Sequence, residues 1–176
     1  MIDAMSTWLW LVDCPPGGRA LDASGGNGDL AEALAGHFSN VERLGAQQLA
    51  AARWPAHTFD CIALHDALAR DARPAEFERL HELLKPSGLL VVTAPSSSAR
   101  SVTRRLRRAG YHDIRRYCVA TALDHPTTII PAHARTIRAY HAFDASQGRT
   151  SLARRAAAFV GLHELLFPAC LLLARA

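Results

Sequence analysis

Residues 21–28 read LDASGGNG, which is the end of a short apolar run, an acid and a turn of small residues. A helical pattern follows directly, because apolar residues recur at the spacing of one helix face, at Leu30, Ala31, Leu34 and Phe38. Glycine permits positive φ and lets a ligand approach the main chain closely. The first amides of the next helix would face that ligand with partial positive charge. The segment predicts a strand, a turn that cradles an anionic group, and a helix, although a plain tight turn fits the same residues.

Other apolar runs have the length of strands and are separated by helical patterns. The runs predicted to be strands are residues 41–44, 59–64, 89–93, 117–122 and 170–174. Helices are predicted over residues 4–12, from Pro74 to a stop at residues 86–88, from an N-cap at Ser98 to Ala109, and over much of residues 132–166. This alternation indicates an α/β fold with a mostly parallel sheet. Ligands of such sheets bind outside the carboxyl ends of the strands, where the glycine turn lies.

Several of these segments, in this order, resemble the class I S-adenosylmethionine (SAM)-dependent methyltransferases, and among them the small, type 11-like members. Residues 21–28 look like the family's glycine-rich motif, residues 59–68 like its fourth strand and the following loop, and residues 83–92 (LLKPSGLLVV) like its Leu-Lys-Pro-Gly-Gly turn and fifth strand. Gly110-Tyr111 and residues 170–175 are similar to the steps into its sixth and seventh strands.

The resemblance implies a Rossmann-like, doubly wound α/β fold in three α/β/α layers, with a mostly parallel sheet whose last strand is antiparallel. It implies one domain over residues 1–176, with an N-terminal helix in residues 1–16 and a variable, substrate-side segment over residues 123–168. Within that segment, residues 126–131 (PTTIIP) suggest a lid-like loop.

SAM is the cofactor that the resemblance implies, and the glycine turn would hold its methionine part. The residues carried over to this role are Asp22, Ala23, Ser24, Gly25, Gly26, Asn27 and Gly28. His65 and Asp66, after the fourth strand, would border the reactive methyl group. His65 would act as a general base toward a hydroxyl or amine acceptor, and Asp66 would orient it or bind substrate. A helix-capping role is the alternative for His65.

The region between residues 29 and 58 departs from the family pattern. It is too short for the family's second helix and third strand, which are expected to be shortened or missing. No acid follows the second strand to bind the ribose hydroxyls, and Gln47 could substitute with its amide oxygen. Trp54 would either stack on adenine or lie in the core. Ser24 stands where the family has its first glycine, and serine restricts φ.

Arginines are concentrated between residues 100 and 116, at Arg100, Arg104, Arg105, Arg107, Arg108, Arg115 and Arg116. Helical spacing places Arg100, Arg104, Arg107 and Arg108 on one side of the predicted helix. A solvated helix face explains this pattern, and a site for phosphate, RNA or an acidic carrier domain is the alternative. No aromatic interleaving or RNA-binding motif accompanies the arginines, so a nucleic-acid partner is not predicted.

Histidines recur every eight residues at His125, His133 and His141, and His133 and His141 could share a helix face. Metal ligands on one helix usually lie closer together, so no metal site is predicted. Tyr140 and His141 fall in the segment that should cover the substrate, and we expect them to contact it.

The composition excludes several classes of protein. The chain has 176 residues, of which 49% are hydrophobic and 20% charged, and this excludes wholesale disorder. Cys14, Cys61, Cys118 and Cys170 form no CxxC motif and are predicted to be reduced thiols. Polar residues interrupt the most apolar stretch, residues 159–174, and no basic leader opens the chain. We therefore expect a cytoplasmic protein without a membrane partner.

The sequence predicts a bacterial SAM-dependent methyltransferase that acts on an O or N atom of a small-molecule acceptor, in secondary or glycan metabolism; a homodimer is left open. The alternative is a degenerate methyltransferase fold without methyl transfer, which acts as a partner subunit or catalyses another reaction in the same pocket. The missing acid and the short region 29–58 favour the alternative. Asp22, Gly26, Gly28 and the turn at residues 85–88 favour methyl transfer.

Overall fold

A computed structural model of the chain describes residue 11 and residues 13–24, 28–45, 48, 53–65, 72–120, 128–146 and 167–176. Strands and helices alternate within these ranges. The strands are β1 (Arg19–Asp22), β2 (Asn40–Arg43), β3 (Phe59–Leu64), β4 (Leu84–Pro95), β5 (His112–Ala120), β6 (Thr128–Pro131) and β7 (Ala169–Arg175). The helices are α1 (Gly28–Ala35), α2 (Pro74–Leu83), α3 (Ala99–Arg108) and α4 (Ala134–Ser146).

All seven strands belong to one sheet, in the order β2-β1-β3-β4-β7-β5-β6. Strands β2, β1, β3 and β4 pair in parallel, whereas β7 is antiparallel to both of its neighbours, β4 and β5. The predicted fold class, a doubly wound and mostly parallel sheet with an antiparallel last strand, is confirmed. In the described residues β2 is an edge strand, with no strand beyond it where the family would place its third.

Different helices cover the two faces of the sheet, because successive side chains of a strand point to opposite sides. One buried cluster joins the sheet to α2 and α3 and includes Leu21, Ile62, Leu90, Phe77 and Leu106. The cluster on the other face joins it to α1 and includes Ala20, Cys61, Val91, Leu34 and Phe38. The central strands are therefore apolar on both faces, which explains why residues 61–64 and 89–92 read as continuous apolar runs.

The bounds of two elements differ from the prediction. Helix α2 ends at Leu83, because Leu84 already has extended backbone and begins β4, so residues 86–88 lie within a strand that has an irregular register. Strand β5 begins at His112, five residues earlier than expected. Its residues 112–117 are exposed or half-buried and mostly polar, and so lack the apolar run by which strands were predicted.

The predicted lid-like loop is also wrong for its last four residues. Thr128–Pro131 form the edge strand β6, which pairs antiparallel with residues 117–120 of β5. An edge strand tolerates the proline because its outer N–H positions need no partner. Ser98 does stand at the N-cap of α3, but its hydroxyl donates a hydrogen bond to the Pro95 carbonyl, 3.0 Å away, and caps no helical N–H.

The four cysteines are free thiols in the structure. Cys61, Cys118 and Cys170 are buried in β3, β5 and β7. Burial raises the pKa of Cys14 to about 11; Arg175 opposes this rise, and Asp60 and Asp13 add to it. None of the helices in the described part of the chain is long and apolar enough to cross a membrane.

An ion pair joins the Lys-Pro turn to β3. Lys85 Nζ lies 2.9 Å from Asp60 Oδ1 and 2.8 Å from Oδ2, and the Arg19 main-chain N–H donates to Oδ2 at 2.9 Å. Partial burial disfavours the carboxylate, but the hydrogen bonds from Lys85 and Arg19 outweigh it and hold the pKa of Asp60 below its ordinary value. Lys85, in the segment that resembles the family's Leu-Lys-Pro-Gly-Gly turn, thus links the start of β4 to β3 by an ion pair.

This pair should make stability depend on pH. Because the pKa of Asp60 is lower in the folded state, its contribution is complete above the unfolded pKa of about 3.9 and is lost as the pH falls through the folded value. We expect Asp60→Asn to lower the free energy of unfolding by about 1 kcal/mol at pH 7, with the difference shrinking below about pH 4. Urea unfolding at pH 7, 4 and 3 measures this difference, with Glu78→Gln, at an exposed carboxylate of α2, as control. A difference that is constant over this range contradicts the assignment.

Candidate functional site

The end of β1 fixes the first residues of the glycine turn. Asp22 is only 3% exposed, and its Oδ1 accepts a hydrogen bond from the Ser24 main-chain N–H at 2.9 Å. The Ala23 N–H donates to the Ala63 carbonyl at 2.9 Å, so the chain stays bonded to β3 beyond the end of β1. Gly25, Gly26 and Asn27 lie outside the described residues, and the main chain of Gly28 begins α1.

Ser24 is compatible with a ligand at this strand end. It is absent from the described residues that have positive φ, so a serine in place of the family's first glycine causes no backbone strain of that kind. Its hydroxyl is buried and has no hydrogen-bond partner within the described part of the chain. Such a hydroxyl costs about 1–3 kcal/mol, and a polar ligand group bound here would supply the partner.

His65 lies at the neighbouring strand end. It is half-buried and directly follows Leu64, the last residue of β3, which pairs with Val92 of β4. Adjacent strands are about 4.8 Å apart, so the structure brings Asp22, Ala23, Ser24 and His65 together at the carboxyl edge of β1 and β3. Asp66 lies outside the described residues.

Trp54 does not lie at the carboxyl edge of β1 and β3. Its indole N–H donates to Glu42 Oε2 at 2.8 Å, and its ring packs edge-to-face on Phe59, with 5.4 Å between the ring centroids. Phe59 is the first residue of β3, at the opposite end of the strand from His65. The structure therefore does not bring Trp54 together with Asp22 and Ser24, and it favours the core interpretation of this residue over the adenine-stacking one.

The ribose-binding acid that the sequence lacks is not replaced by Glu42. The Glu42 carboxylate pairs with the guanidinium of Arg19, the first residue of β1, and also accepts the Trp54 indole N–H. These contacts direct the Glu42 carboxylate toward the amino-terminal end of β1. Gln47, the predicted substitute, lies outside the described residues.

Solved structures provide the comparison for this sheet and site. The chain is similar to phosphoethanolamine N-methyltransferase 2 of Haemonchus contortus, solved with SAM, with a TM-score of 0.60 and 12% identity over 98% of this chain and 51% of that chain. It thus spans about half of that enzyme. A SAM-dependent methyltransferase of Archaeoglobus fulgidus gives a TM-score of 0.58 at 12% identity, covering 97% of this chain and 92% of that chain. The fold is that of the class I SAM-dependent methyltransferases.

Not every protein with this methyltransferase fold is named for methyl transfer. The [4+2]-cyclase SpnF matches with a TM-score of 0.52 and 15% identity, over 98% of this chain and 80% of that chain. No protein-family model matches the sequence, and no curated protein matches it. At identities of this size the likeness concerns the fold.

An aromatic cluster lies at the same edge of the methyltransferase fold. The Phe167 ring lies 5.7 Å from the Tyr140 ring and 5.7 Å from the His141 ring, centroid to centroid, and His141 is buried. Ala169 pairs with Pro95 at the carboxyl end of β4, so Phe167 extends beyond that edge. Strand β7 lies two positions from β3, about 10 Å away. Phe167 was not predicted from the sequence, although an aromatic residue followed by Pro168 just before an apolar run is its signal.

The two histidines of the series that the structure describes, His133 and His141, do not lie on one helix face. His133 precedes α4 and is exposed, whereas His141 lies within α4 and is buried, so the expected shared helix face is wrong. His125 lies outside the described residues. In the ranges that the structure describes, no group of three or more His, Cys, Asp or Glu side chains is placed to hold a metal ion.

Proposed function

We propose that this chain is an enzyme that binds SAM at the carboxyl ends of β1 and β3 and methylates an O or N atom of a small molecule. The observation that carries the proposal is the strand end where Asp22 holds the Ser24 N–H beside His65. The same fold occurs in an enzyme solved with SAM, which supports this choice of cofactor. A small molecule of bacterial secondary or glycan metabolism is the acceptor that we propose.

The glycine turn would bind the amino-acid end of SAM. The residues proposed for this role are Asp22, Ala23, Ser24, Gly25, Gly26, Asn27 and Gly28. Asp22 orients the first amide of the turn, and the first turn of α1 adds the partial positive charge of a helix N-terminus, which favours a carboxylate. The buried Ser24 hydroxyl would gain a polar partner.

His65 would serve the transfer step. When bound, SAM would supply an electrophilic methyl group, whose bonding to the acceptor atom would leave the C–S electron pair on sulfur and yield S-adenosylhomocysteine. His65 would take the proton from the hydroxyl or amine of the acceptor and return it to water, and Asp66 would assist it. Tyr140, which is half-buried at the rim of the aromatic cluster, would contact the acceptor and limit its orientations, which accounts for much of the rate in such displacements. The buried side chains of His141 and Phe167 would support Tyr140 from behind.

The release of S-adenosylhomocysteine from SAM in the presence of a panel of small hydroxyl and amine acceptors tests this function. We expect at least one acceptor to raise the release above the acceptor-free rate. With that acceptor, His65→Gln should lower kcat at least tenfold and leave the affinity for SAM within twofold. The exposed His133→Gln is the matched control and should keep full activity. An unchanged kcat in His65→Gln contradicts the role of His65.

A second candidate is a methyltransferase fold that binds a ligand in this pocket without transferring a methyl group. The contacts of Glu42 favour this candidate. Because the Glu42 carboxylate pairs with Arg19 and accepts the Trp54 indole N–H, no described carboxylate at the end of β2 is left to bind a ribose. The [4+2]-cyclase of the same fold is a precedent for other chemistry. Saturable SAM binding without release of S-adenosylhomocysteine for any acceptor would favour this candidate.

A further inference from the structure

Two of the four cysteines lie opposite each other in the sheet. Cys118 of β5 and Cys170 of β7 are partners in the antiparallel register of these two strands. Residues directly opposed on an antiparallel pair carry their side chains on the same face of the sheet. Both cysteines accordingly belong to one buried cluster, which also contains Ile137 and Phe167. The strand register thus brings together two thiols that are far apart in the sequence.

The hydrogen bonds of neighbouring residues show which kind of cross-strand pair the two cysteines form. Opposed residues of antiparallel strands alternate between pairs that exchange main-chain hydrogen bonds and pairs that do not. The Ala132 N–H donates to the Arg116 carbonyl at 2.8 Å, so Arg116 directs its main-chain groups toward β6. This direction alternates along a strand, so Cys118 also directs its main-chain groups toward β6 and away from β7.

Strand β7 leads to the same result from its other side. The Ser96 N–H donates to the Pro168 carbonyl at 3.4 Å, so the main chain of Pro168 is directed toward the β4 side. By the same alternation, the main-chain groups of Cys170 are directed toward β4 and away from β5. Cys118 and Cys170 therefore form a non-hydrogen-bonded pair, the type in which opposed Cα atoms are about 4.5 Å apart and the side chains are closest. A disulfide requires a Cα separation of about 4.4–6.8 Å.

Neither of the other two cysteines is opposed by a cysteine in the described part of the sheet. Cys61 has Ala20 of β1 and Leu89 of β4 as its register partners. Cys14 precedes β1, and its thiol donates to the Asp60 carbonyl at 3.7 Å. The geometry of a cross-strand disulfide is thus specific to the pair on β5 and β7.

We propose that Cys118 and Cys170 are a redox-sensitive pair that closes a cross-strand disulfide when the protein meets hydrogen peroxide. The peroxide O–O bond breaks as it oxidises one thiol to a sulfenic acid, and one water is released. The other thiol attacks the sulfenic sulfur, so that the S–S bond forms and the hydroxyl leaves with the thiol proton as a second water. The two electrons that the thiols lose are taken up by the peroxide.

The surroundings of the pair determine how it reacts. Cys118 and Cys170 are at most 1% exposed, so a small oxidant reaches them only during local opening of the sheet, and closure is slow. Strand β5 is separated from the edge of the described sheet by β6 alone, which favours such opening. The Ser96 hydroxyl lies 3.3 Å from the Cys170 sulfur. When it donates to that sulfur, it favours the thiolate, which is the nucleophile toward the peroxide.

Mass spectrometry of tryptic peptides tests the proposal after overnight treatment with excess hydrogen peroxide and blocking of the remaining thiols with iodoacetamide. We expect one disulfide, which links peptide 117–135 to peptide 156–175, the two that carry Cys118 and Cys170. Oxidation should raise the melting temperature by about 5–10 °C, and dithiothreitol should reverse the rise. Cys118→Ala should abolish both the link and the rise, whereas Cys14→Ala, the matched control, should keep both.

Two results would overturn the proposal. The first is that peptides 117–135 and 156–175 of the wild type remain unlinked after the treatment. The second is a disulfide between Cys14 and Cys61, or between two chains, in place of the expected one. Because the wild-type peptides are read directly, neither result depends on whether Cys118→Ala folds. The proposal also stands apart from SAM binding, since the disulfide is detected without any ligand.

Discussion

Replacing Asp22 with alanine should weaken SAM binding by ten- to a hundredfold. The Asp22 carboxylate is buried and accepts the Ser24 N–H at 2.9 Å, so the truncation leaves that amide without its partner at the start of the glycine turn. A lost partner of this kind costs about 1–3 kcal/mol, and 1.4 kcal/mol corresponds to tenfold in affinity. Calorimetric titration of wild type and variant with SAM measures the difference.

Two further variants test whether the loss of SAM affinity in Asp22→Ala comes from the missing hydrogen-bond acceptor. Asp22→Asn keeps an oxygen that can accept the Ser24 N–H, and we expect it to lose less than tenfold in affinity. Glu78→Ala removes an exposed carboxylate from α2 and should bind SAM like the wild type. If Asp22→Ala, folded by circular dichroism, binds SAM as tightly as Glu78→Ala, then the ligand does not depend on the end of β1.

Replacing Gly18 with alanine should destabilise the protein by about 2–4 kcal/mol. A Cβ atom there would lie 2.5 Å from Asp60 Oδ2 and 3.0 Å from Asp60 Cβ. The Asp60 carboxylate cannot move aside freely, because Lys85 and the Arg19 N–H hold it. For a chain of this length, the loss corresponds to roughly 5–15 °C in the melting temperature.

A double-mutant cycle separates this clash from a general effect of alanine. In an Asp60→Ala background the carboxylate is absent, so Gly18→Ala should cost at least 1 kcal/mol less than in the wild type. Gly36→Ala is the matched control, because its Cβ would make only an ordinary contact of 3.4 Å with the Ala33 carbonyl. Equal costs of Gly18→Ala in both backgrounds would show that Asp60 is not the obstacle.

The central strands could be predicted from the sequence because buried strands consist of consecutive apolar residues. Residues 61–64 of β3 and 169–174 of β7 are buried and form unbroken apolar runs, and Pro74 marks the first residue of α2. Strand β6 escaped prediction because residues 126–131 carry prolines at both ends, which is typical of a loop. An edge strand admits such residues, and only the pairing with β5 reveals it.

The site was predictable in part. The strand end at Asp22 and His65 followed from the order of strands and loops along the chain. The contacts of Trp54 could not be predicted in this way. Its place in the sequence does not determine at which end of a strand its side chain packs. The Asp60–Lys85 pair was also missed, since its partners are 25 residues apart and meet only through the pairing of β3 with β4.

Calorimetric titration of the wild-type chain with SAM tests the central claim most directly. We expect saturable binding with a micromolar Kd, at one SAM per chain, and competition by S-adenosylhomocysteine. The absence of binding heat and of competition at millimolar ligand would contradict it.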